Sequence, residues 1–133
     1  MCHNPLLLDI IEFFVSNDVA DGDGIDCIRD FSPEDPDDVI VLYEYKGSAV
    51  VSFDDTSVRS VQVTVRSADP DTARDKAIKL FNLFHVHDTA KRIDFTENRW
   101  GQVTLRQTPF KIKIDENNRT VFGFNMGVLT TIY

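Results

Sequence analysis

The spacing of hydrophobic and polar residues changes along the chain, and each spacing predicts a strand or a helix. Residues 60–66 alternate valine with polar side chains, which predicts a strand with one buried face. Asp69 and Pro70 then supply a cap and a first helical residue, and a helix is predicted to run to about Phe84. The residues predicted to form its buried stripe are Ala73, Ala77, Leu80, Phe81 and Phe84.

The N-terminal segment "NPLLLDIIEFFVSN" predicts a helix over about residues 5–17, with Pro5 at its first position. Asp9, Glu12 and Ser16 fall on one narrow polar stripe, and apolar side chains cover most of the remaining surface. One face of a sheet cannot bury so wide an apolar arc. Two alternatives stay open: the helix is enclosed within the subunit, or its spare apolar side contacts another chain.

The rest of the chain predicts mainly strands. Residues 18–38 form a loop rich in Asp, Gly and Pro with a short strand at 25–28, and "VIVLYEY" (39–45) is predicted to be covered on both faces. Further strands are predicted at 93–96, 102–108, 110–114 and 120–133, with a hairpin loop at 115–119. The polar positions that align on one side are Gln62, Thr64, Arg66, Thr104, Arg106, Lys111 and Lys113.

These patterns predict an α+β fold with an antiparallel or mixed β-sheet and two main helices packed on one face. A length of 133 residues without an internal repeat or linker predicts a single domain over residues 1–133.

Charge and cysteine content limit the functional classes. The net charge of −8, from 22 acidic and 14 basic residues without a basic cluster, disfavours tight binding to nucleic acid. An acidic surface would instead repel phosphate, so that DNA could pass along it without binding. Cys2 and Cys27 are too few for a disulfide framework, and the N-terminus lacks a signal-peptide pattern, so we expect a reducing cytoplasm. Apolar runs are too short for a membrane span.

An aspartate cluster in "DGDGID" is a candidate cation site. Asp21, Asp23 and Asp26 surround glycines, as hard oxygen ligands do in calcium loops. The spacing is not that of an EF-hand, and no glutamate stands at the twelfth position. A solvated turn is therefore the favoured interpretation.

The segment "HVHD" offers His85, His87 and Asp88 as ligands, and His3 could join them. These residues follow a helix end, where polar and positive side chains are common for capping and dipole reasons. Cys27 has no accompanying histidine and acid pair, and no phosphate-binding glycine loop is present. The sequence accordingly predicts no catalytic, metal-binding or cofactor-binding residue, and no cofactor.

Five segments, in this order and spacing, resemble the small minor capsid proteins of tailed bacteriophages, which are similar to tail-terminator and tail-to-head joining proteins. The resemblance spans about residues 36–128. The segments are "PDDVIVLYEYKGS" (36–48), "SVQVTVRS" (60–67), "TARDKAIKLFNLF" (72–84), "TPFKIKIDENNR" (108–119) and "FGFNMGV" (122–128).

The resemblance implies a structural virion protein, assembled in the bacterial host cytoplasm, that acts through its shape and without catalysis. It implies a homo-oligomeric ring, often a hexamer, that caps the tail tube and joins it to the head-tail connector while DNA passes through. A head-completion or other minor capsid protein is the alternative. A metal-dependent enzyme using His85, His87 or the aspartates of residues 21–26 is a more distant one.

Self-assembly requires surfaces for neighbouring subunits or for the tube. Two groups of residues are candidates, one on the spare apolar side of the first helix and one on the polar side of the sheet. They are Leu7, Ile11, Val15, Gln62, Thr64 and Arg66.

Overall fold

A computed structural model describes residues 6–22, 24, 26–34, 37–45, 50–51, 56–85, 91–96 and 99–131. Within these ranges the chain forms two helices and an eight-stranded sheet. The elements in chain order are α1 (Leu6–Ser16), β1 (Cys27–Arg29), β2 (Val39–Tyr45), β3 (Val50–Val51), β4 (Thr56–Ser67), α2 (Pro70–His85), β5 (Lys91–Thr96), β6 (Arg99–Leu105), β7 (Phe110–Ile114) and β8 (Thr120–Thr131).

The strands lie in the order β1-β2-β4-β8-β6-β5, with β3 paired to β4 and β7 paired to β8. The β1 and β2 strands are parallel, and the other recorded pairs are antiparallel. β6 and β7 lie one after the other along the same edge of β8, opposite residues 126–130 and 120–123 respectively. The predicted α+β class with a mixed sheet is confirmed. That residues 1–133 form one domain stays a prediction.

The two long strands β4 and β8 form the centre of the sheet. They pair over their full length of 12 residues each, with Val63 opposite Phe124 and Val61 opposite Met126. Side chains directly opposite each other share a face, so these valines and the bulky residues of β8 build one continuous apolar surface. All four side chains are buried.

α2 packs on that apolar surface, and α1 lies beside α2 in contact with β1, β2 and β5. α2 begins after Asp69, whose carboxylate accepts a hydrogen bond from the backbone N–H of Asp71, and its predicted buried stripe is confirmed in full. Phe81 of α2 makes an edge contact with Phe124, with ring centroids 5.4 Å apart. α1 joins the same layer through Phe13, whose ring lies 5.7 Å from that of Phe84.

The structure encloses most of α1 within the subunit. Leu6, Leu7, Ile10, Ile11 and Phe14 are each at most 2% exposed. Of the two alternatives left open by the sequence, enclosure therefore accounts for most of the apolar arc.

The predicted polar stripe of α1 is wrong at its first member. Glu12 and Ser16 are exposed, but Asp9 is buried with 3% of its surface accessible. The stripe was assigned on the assumption that one side of α1 faces water. In the structure α1 contacts β1, β2, β5 and α2, which leaves only a short exposed arc near its C-terminal end.

The strand predicted at residues 102–108 instead runs from Arg99 to Leu105. Its backbone pairing with β8 ends where the N–H of Arg106 donates to the carbonyl of Asn125. Pro109 has no N–H to donate, and the chain here changes from β6 to β7 along the same edge of β8. The alternation of polar and apolar residues did not show where β6 ends.

Candidate protein interface

The side of the sheet opposite the helices divides into two parts. One part, at the ends of β2, β4 and β8 nearest β7, is buried although no helix lies on it; we call it the covered part. It consists of Val39, Val41, Thr64, Arg66, Val121 and Gly123. The other part remains accessible and is described below.

Arg66 closes the covered part by binding residues 32–34 and 37, which lie in the loop between β1 and β2. Its guanidinium donates to the side-chain oxygen of Ser32 at 2.9 Å and to the carbonyl oxygen of Pro33, with longer contacts to the carbonyls of Glu34 and Asp37. A charged group is buried here because backbone carbonyl dipoles satisfy its donors. Arg66 is only 4% exposed.

Arg119 fixes the β7–β8 hairpin to the same loop. Its Nε donates to Asp115 Oδ2 at 2.8 Å, and its Nη1 donates to the carbonyl of Glu34. Asp115 Oδ1 accepts hydrogen bonds from the backbone N–H groups of Asn117 and Arg119, which shapes the turn. Asn118 takes the left-handed conformation, with φ of 60°. The predicted hairpin loop at 115–119 is confirmed.

Burial and neighbouring groups shift the pKa values of Arg66 and Asp115. Burial lowers the pKa of Arg66, and the positive charge of Arg119 lowers it further. Burial alone would raise the pKa of the Asp115 carboxyl, but hydrogen bonds from Arg119 and Asn117 outweigh it and lower that pKa. A cleft of about 440 Å³ lies between residues 32–34 and the hairpin. The arginine donors that line this cleft already bind backbone carbonyls. The cleft therefore lies where the two segments are held together by hydrogen bonds.

The accessible part of this side of the sheet carries its charged strand residues at one edge. On β2, β4, β6 and β8 none of the residues facing outward here is Asp, Glu, Lys or Arg, whereas Arg92 and Asp94 of β5 lie opposite Gln102 and Trp100 on this side. We call this surface the open face. Its strand residues are Tyr43, Tyr45, Val58, Ser60, Gln62, Arg92, Asp94, Trp100, Gln102, Thr104, Asn125, Gly127 and Leu129.

Tyr45 and Gln62 form an ordered pair on the open face. The phenol of Tyr45 donates to Gln62 Oε1 at 2.8 Å, and Tyr45 is 51% exposed. Tyr43 lies at the border with the covered part. Burial raises the pKa of Tyr43, the neighbouring Tyr45 raises it further, and a hydrogen bond with Ser32 opposes them.

Arg106 places one positive charge on the open face from the segment that follows β6. A Cβ built at Gly127 would lie 3.1 Å from Arg106 Nη2 and 3.4 Å from Val58 Cγ1, so the guanidinium extends over this glycine. Among the residues that the structure describes, no acidic group forms an ion pair with Arg106. Its charge is therefore directed to solvent.

The interface residues predicted from the sequence are partly buried and partly accessible in the structure. Leu7 and Ile11 are buried against the subunit's own core, and Thr64 and Arg66 lie in the covered part. A buried side chain offers little surface to a neighbour, so these four residues support the subunit itself. Their predicted place in an interface stays a prediction.

Val15 and Gln62 keep accessible surface. Val15 is 38% exposed and lies on a groove along α1 with Leu8 and Gly22, whereas Gln62 lies on the open face. The two groups of candidates thus belong to different surfaces of the subunit. A contact through either residue stays a prediction.

The candidate metal ligands are only partly described. Asp26 accepts hydrogen bonds from the backbone N–H groups of Asp21 and Gly22, at 2.9 to 3.1 Å, which braces the turn. His85 is exposed and its ring lies 5.1 Å from that of Phe81. His3, Asp23, His87 and Asp88 lie outside the described residues. Over the described ranges, no three potential ligands come together.

Sequence reasoning missed three residues that organise this side of the sheet. Arg119 was assigned only to a loop, Tyr45 to a strand covered on both faces, and Arg106 to a polar side without a role. For Arg106 the signal was present, because it continues the alternation of Gln102 and Thr104. For Arg119 no sequence signal marks the contact, since its partner loop is 82 to 85 residues away in the chain.

Comparison with known proteins identifies the family. A family model described as "Bacteriophage tail terminator protein" matches residues 15–132, which is nearly the whole chain. A search of curated proteins finds no match. Neither helix in the described part of the chain is long and apolar enough to cross a membrane. The chain belongs to the bacteriophage tail terminator family.

Proposed function

We propose that this protein caps the tail tube of a tailed bacteriophage as a homo-oligomeric ring, a hexamer, and joins the tube to the head-tail connector. Members of the family are structural components of the virion, and the family match over residues 15–132 is the observation that carries the proposal. In this role the protein binds tube, connector and its own copies, and it performs no catalysis. It assembles in the bacterial cytoplasm.

The architecture is suited to such a role. A ring subunit needs a rigid body and more than one outward surface. Rigidity comes from the shared core of helices and sheet, and from Arg66 and Arg119, which hold residues 32–34 against the sheet and the hairpin. The accessible surfaces are the groove on α1 at Val15 and the open face at Gln62.

The charge of the protein fits passage of DNA through the ring. With a net charge of −8, the subunit repels phosphate as a whole, so a strand moving through a central opening would not be held.

The decisive experiment interrupts this gene in the phage or prophage that carries it and examines the lysates by electron microscopy. A terminator stops tube polymerisation, so its loss is expected to give overlong tails separate from DNA-filled heads. Expression of the intact chain from a plasmid should restore tails of normal length. This complementation controls for effects on neighbouring genes.

Other outcomes would contradict the proposal in different ways. Normal-length tails beside empty or leaking heads would move the protein to the head side of the joint, as a head-completion protein. Intact infectious virions would remove the structural role altogether.

A further inference from the structure

β7 is an edge strand of the sheet, and its outer edge is accessible. It pairs with β8 along one edge, and over the described residues no strand pairs with its other edge. An edge strand presents backbone N–H and C=O groups that point away from the sheet without a strand partner. None of the five residues from Phe110 to Ile114 is buried. An extended segment of another chain can therefore add to the sheet at this edge.

The side chains of β7 place one lysine and one accessible apolar residue on each side of the sheet. Lys111 and Ile114 lie on the side of the helices, and Phe110 and Lys113 lie on the opposite side. Phe110 is 38% exposed, Ile114 is 55% exposed, and both lysines are exposed. The register shift between the two lysines produces this arrangement, because regular alternation would place both on one side.

The charge near β7 differs from that of the chain as a whole. The chain carries −8, but residues 99–114, which span β6 and β7, contain four basic residues and no acidic one. Asp115 follows β7 directly, and its carboxylate is bound to Arg119. Among the residues that the structure describes, no acidic group forms an ion pair with Lys111 or Lys113. The outer edge of β7 is therefore complementary to a negatively charged strand.

We propose that the outer edge of β7 binds an extended segment of a partner protein that contains both acidic and apolar residues. Backbone hydrogen bonds to β7 supply affinity, and contacts with Lys111, Lys113, Phe110 and Ile114 supply selectivity. The proposal goes beyond the proposed function, because it concerns recognition of a peptide segment by the subunit itself. It can be tested on the purified chain without any other part of a virion.

The two lysines disfavour other occupants of this edge. If two copies of the chain paired through β7, their lysines would lie close together, and like charges across a strand pair are destabilising. DNA is disfavoured because Lys111 and Lys113 lie on opposite sides of the sheet and cannot follow one phosphate backbone. Lysines on an edge strand thus hinder pairing of like edges while they favour an acidic segment.

The other outer strands are less suited to this role. β1 has three residues and β3 has two, so each offers few backbone groups. β5 contains Asp94 beside its basic residues, and α1 packs next to it. β7 is the outer strand that combines accessible apolar side chains with positive charge alone.

The first test titrates the nitrogen-15-labelled full-length chain with two blocked peptides and follows the backbone amide signals by NMR. The peptides are Glu-Val-Val-Glu-Glu-Val-Val-Glu and the same sequence with lysine in place of glutamate. Each places charged and apolar residues on both faces of an extended strand. The glutamate peptide is expected to shift the amides of residues 110–114 and to bind at least about fivefold more tightly than the lysine peptide.

A charge exchange tests the role of the two lysines. The double variant Lys111→Glu/Lys113→Glu is expected to reverse the preference, so that the lysine peptide binds more tightly by a similar factor. The matched control Arg74→Glu/Lys79→Glu changes the net charge equally on α2 and should keep the original preference. All four side chains are exposed, so the variants should fold. A glutamate peptide with N-methylated central amides should lose binding, because it lacks the backbone donors.

The second test identifies the segment in assembled particles. Ile114 is replaced by the photo-crosslinking residue p-benzoylphenylalanine, and Ile78, which is 40% exposed on α2, receives the same replacement as a control. In complemented virions, position 114 is expected to crosslink to a different protein, through a peptide that contains acidic and apolar residues. Tail length in the same particles reports on the proposed function, so the two proposals can fail separately.

Three results would overturn the inference. One is an absence of amide shifts in β7, or equal binding of the two peptides, because the edge would then not select an acidic segment. Another is unchanged binding of the N-methylated peptide, which would rule out backbone pairing. The last is a virion in which position 114 crosslinks to a second copy of this chain or to no protein.

Discussion

Phe124 allows the strongest test of how the core holds this fold. Its side chain is fully buried at the centre of β8, and its ring makes edge contacts with Phe81 at 5.4 Å and Phe84 at 6.4 Å. Phe124→Ala removes the ring and leaves a cavity between the sheet and α2. Because α2 is fixed along its length by other buried residues, the site cannot collapse to fill the space.

The expected loss is about 4 kcal/mol in the free energy of unfolding, within the range for buried Phe→Ala changes. Each lost aromatic contact contributes about 0.5–1.5 kcal/mol of this figure. For a urea slope of about 2 kcal/mol/M, the unfolding midpoint should fall by about 2 M. A loss of about 4 kcal/mol is a large share of the free energy of unfolding of a typical domain, which is about 5–15 kcal/mol.

Two other phenylalanines provide matched controls in the same assay. Phe110 on β7 is 38% exposed and Phe31 is 61% exposed. Phe110→Ala should cost about 1–2 kcal/mol, since part of the ring already contacts water, and Phe31→Ala should stay within about 0.5 kcal/mol. If Phe124→Ala does not populate a folded state, Phe124→Leu gives the same ranking with a smaller loss.

Equal midpoints for the Phe124 and Phe31 variants would refute the assignment of Phe124 to the centre of the core. Urea unfolding followed by tryptophan fluorescence and by circular dichroism should give coincident transitions, which is the condition for using these free energies.

Two further predictions test the covered part of the sheet and the β7–β8 hairpin next to it. Gly123→Ala should destabilise the fold by about 1–3 kcal/mol, because its Cβ would lie 2.5 Å from the carbonyl oxygen of Val63; an unchanged thermal midpoint would contradict the close approach of β4. The lowered pKa of Asp115 predicts a stability contribution that is fully present above the unfolded pKa and is lost as pH falls through the folded pKa. Asp115→Asn should therefore flatten the acid limb of a stability–pH curve, and a curve of unchanged steepness would assign that limb to other carboxylates.

Local patterns in the sequence determined much of the fold. Asp69 and Pro70 set the start of α2, and the helical spacing from Ala73 to Phe84 identified its buried side in full. Alternation identified β4, and a strand was predicted over the residues that form β8. These predictions succeeded because capping, helical period and strand alternation depend on residues that are near one another in the chain.

The tertiary structure decided which surfaces reach solvent. Sequence assigned Asp9, Thr64 and Arg66 to polar surfaces, and the structure buries all three. Polarity alone does not reveal burial, because a polar group can be enclosed when distant groups satisfy its hydrogen bonds. For Arg66 those groups are more than 30 residues earlier in the chain.

The candidate interface likewise depends on contacts between distant segments. The alternation in the sequence placed Gln62 and Arg106 on one polar side, but only the order of strands in the sheet shows that Tyr45 lies on that side as well. The sequence by itself determined the helices, most strands and the resemblance to tail terminators. Only the tertiary structure decided which polar residues are enclosed and which form the open face, because strand order and loop contacts are set by pairings between distant segments.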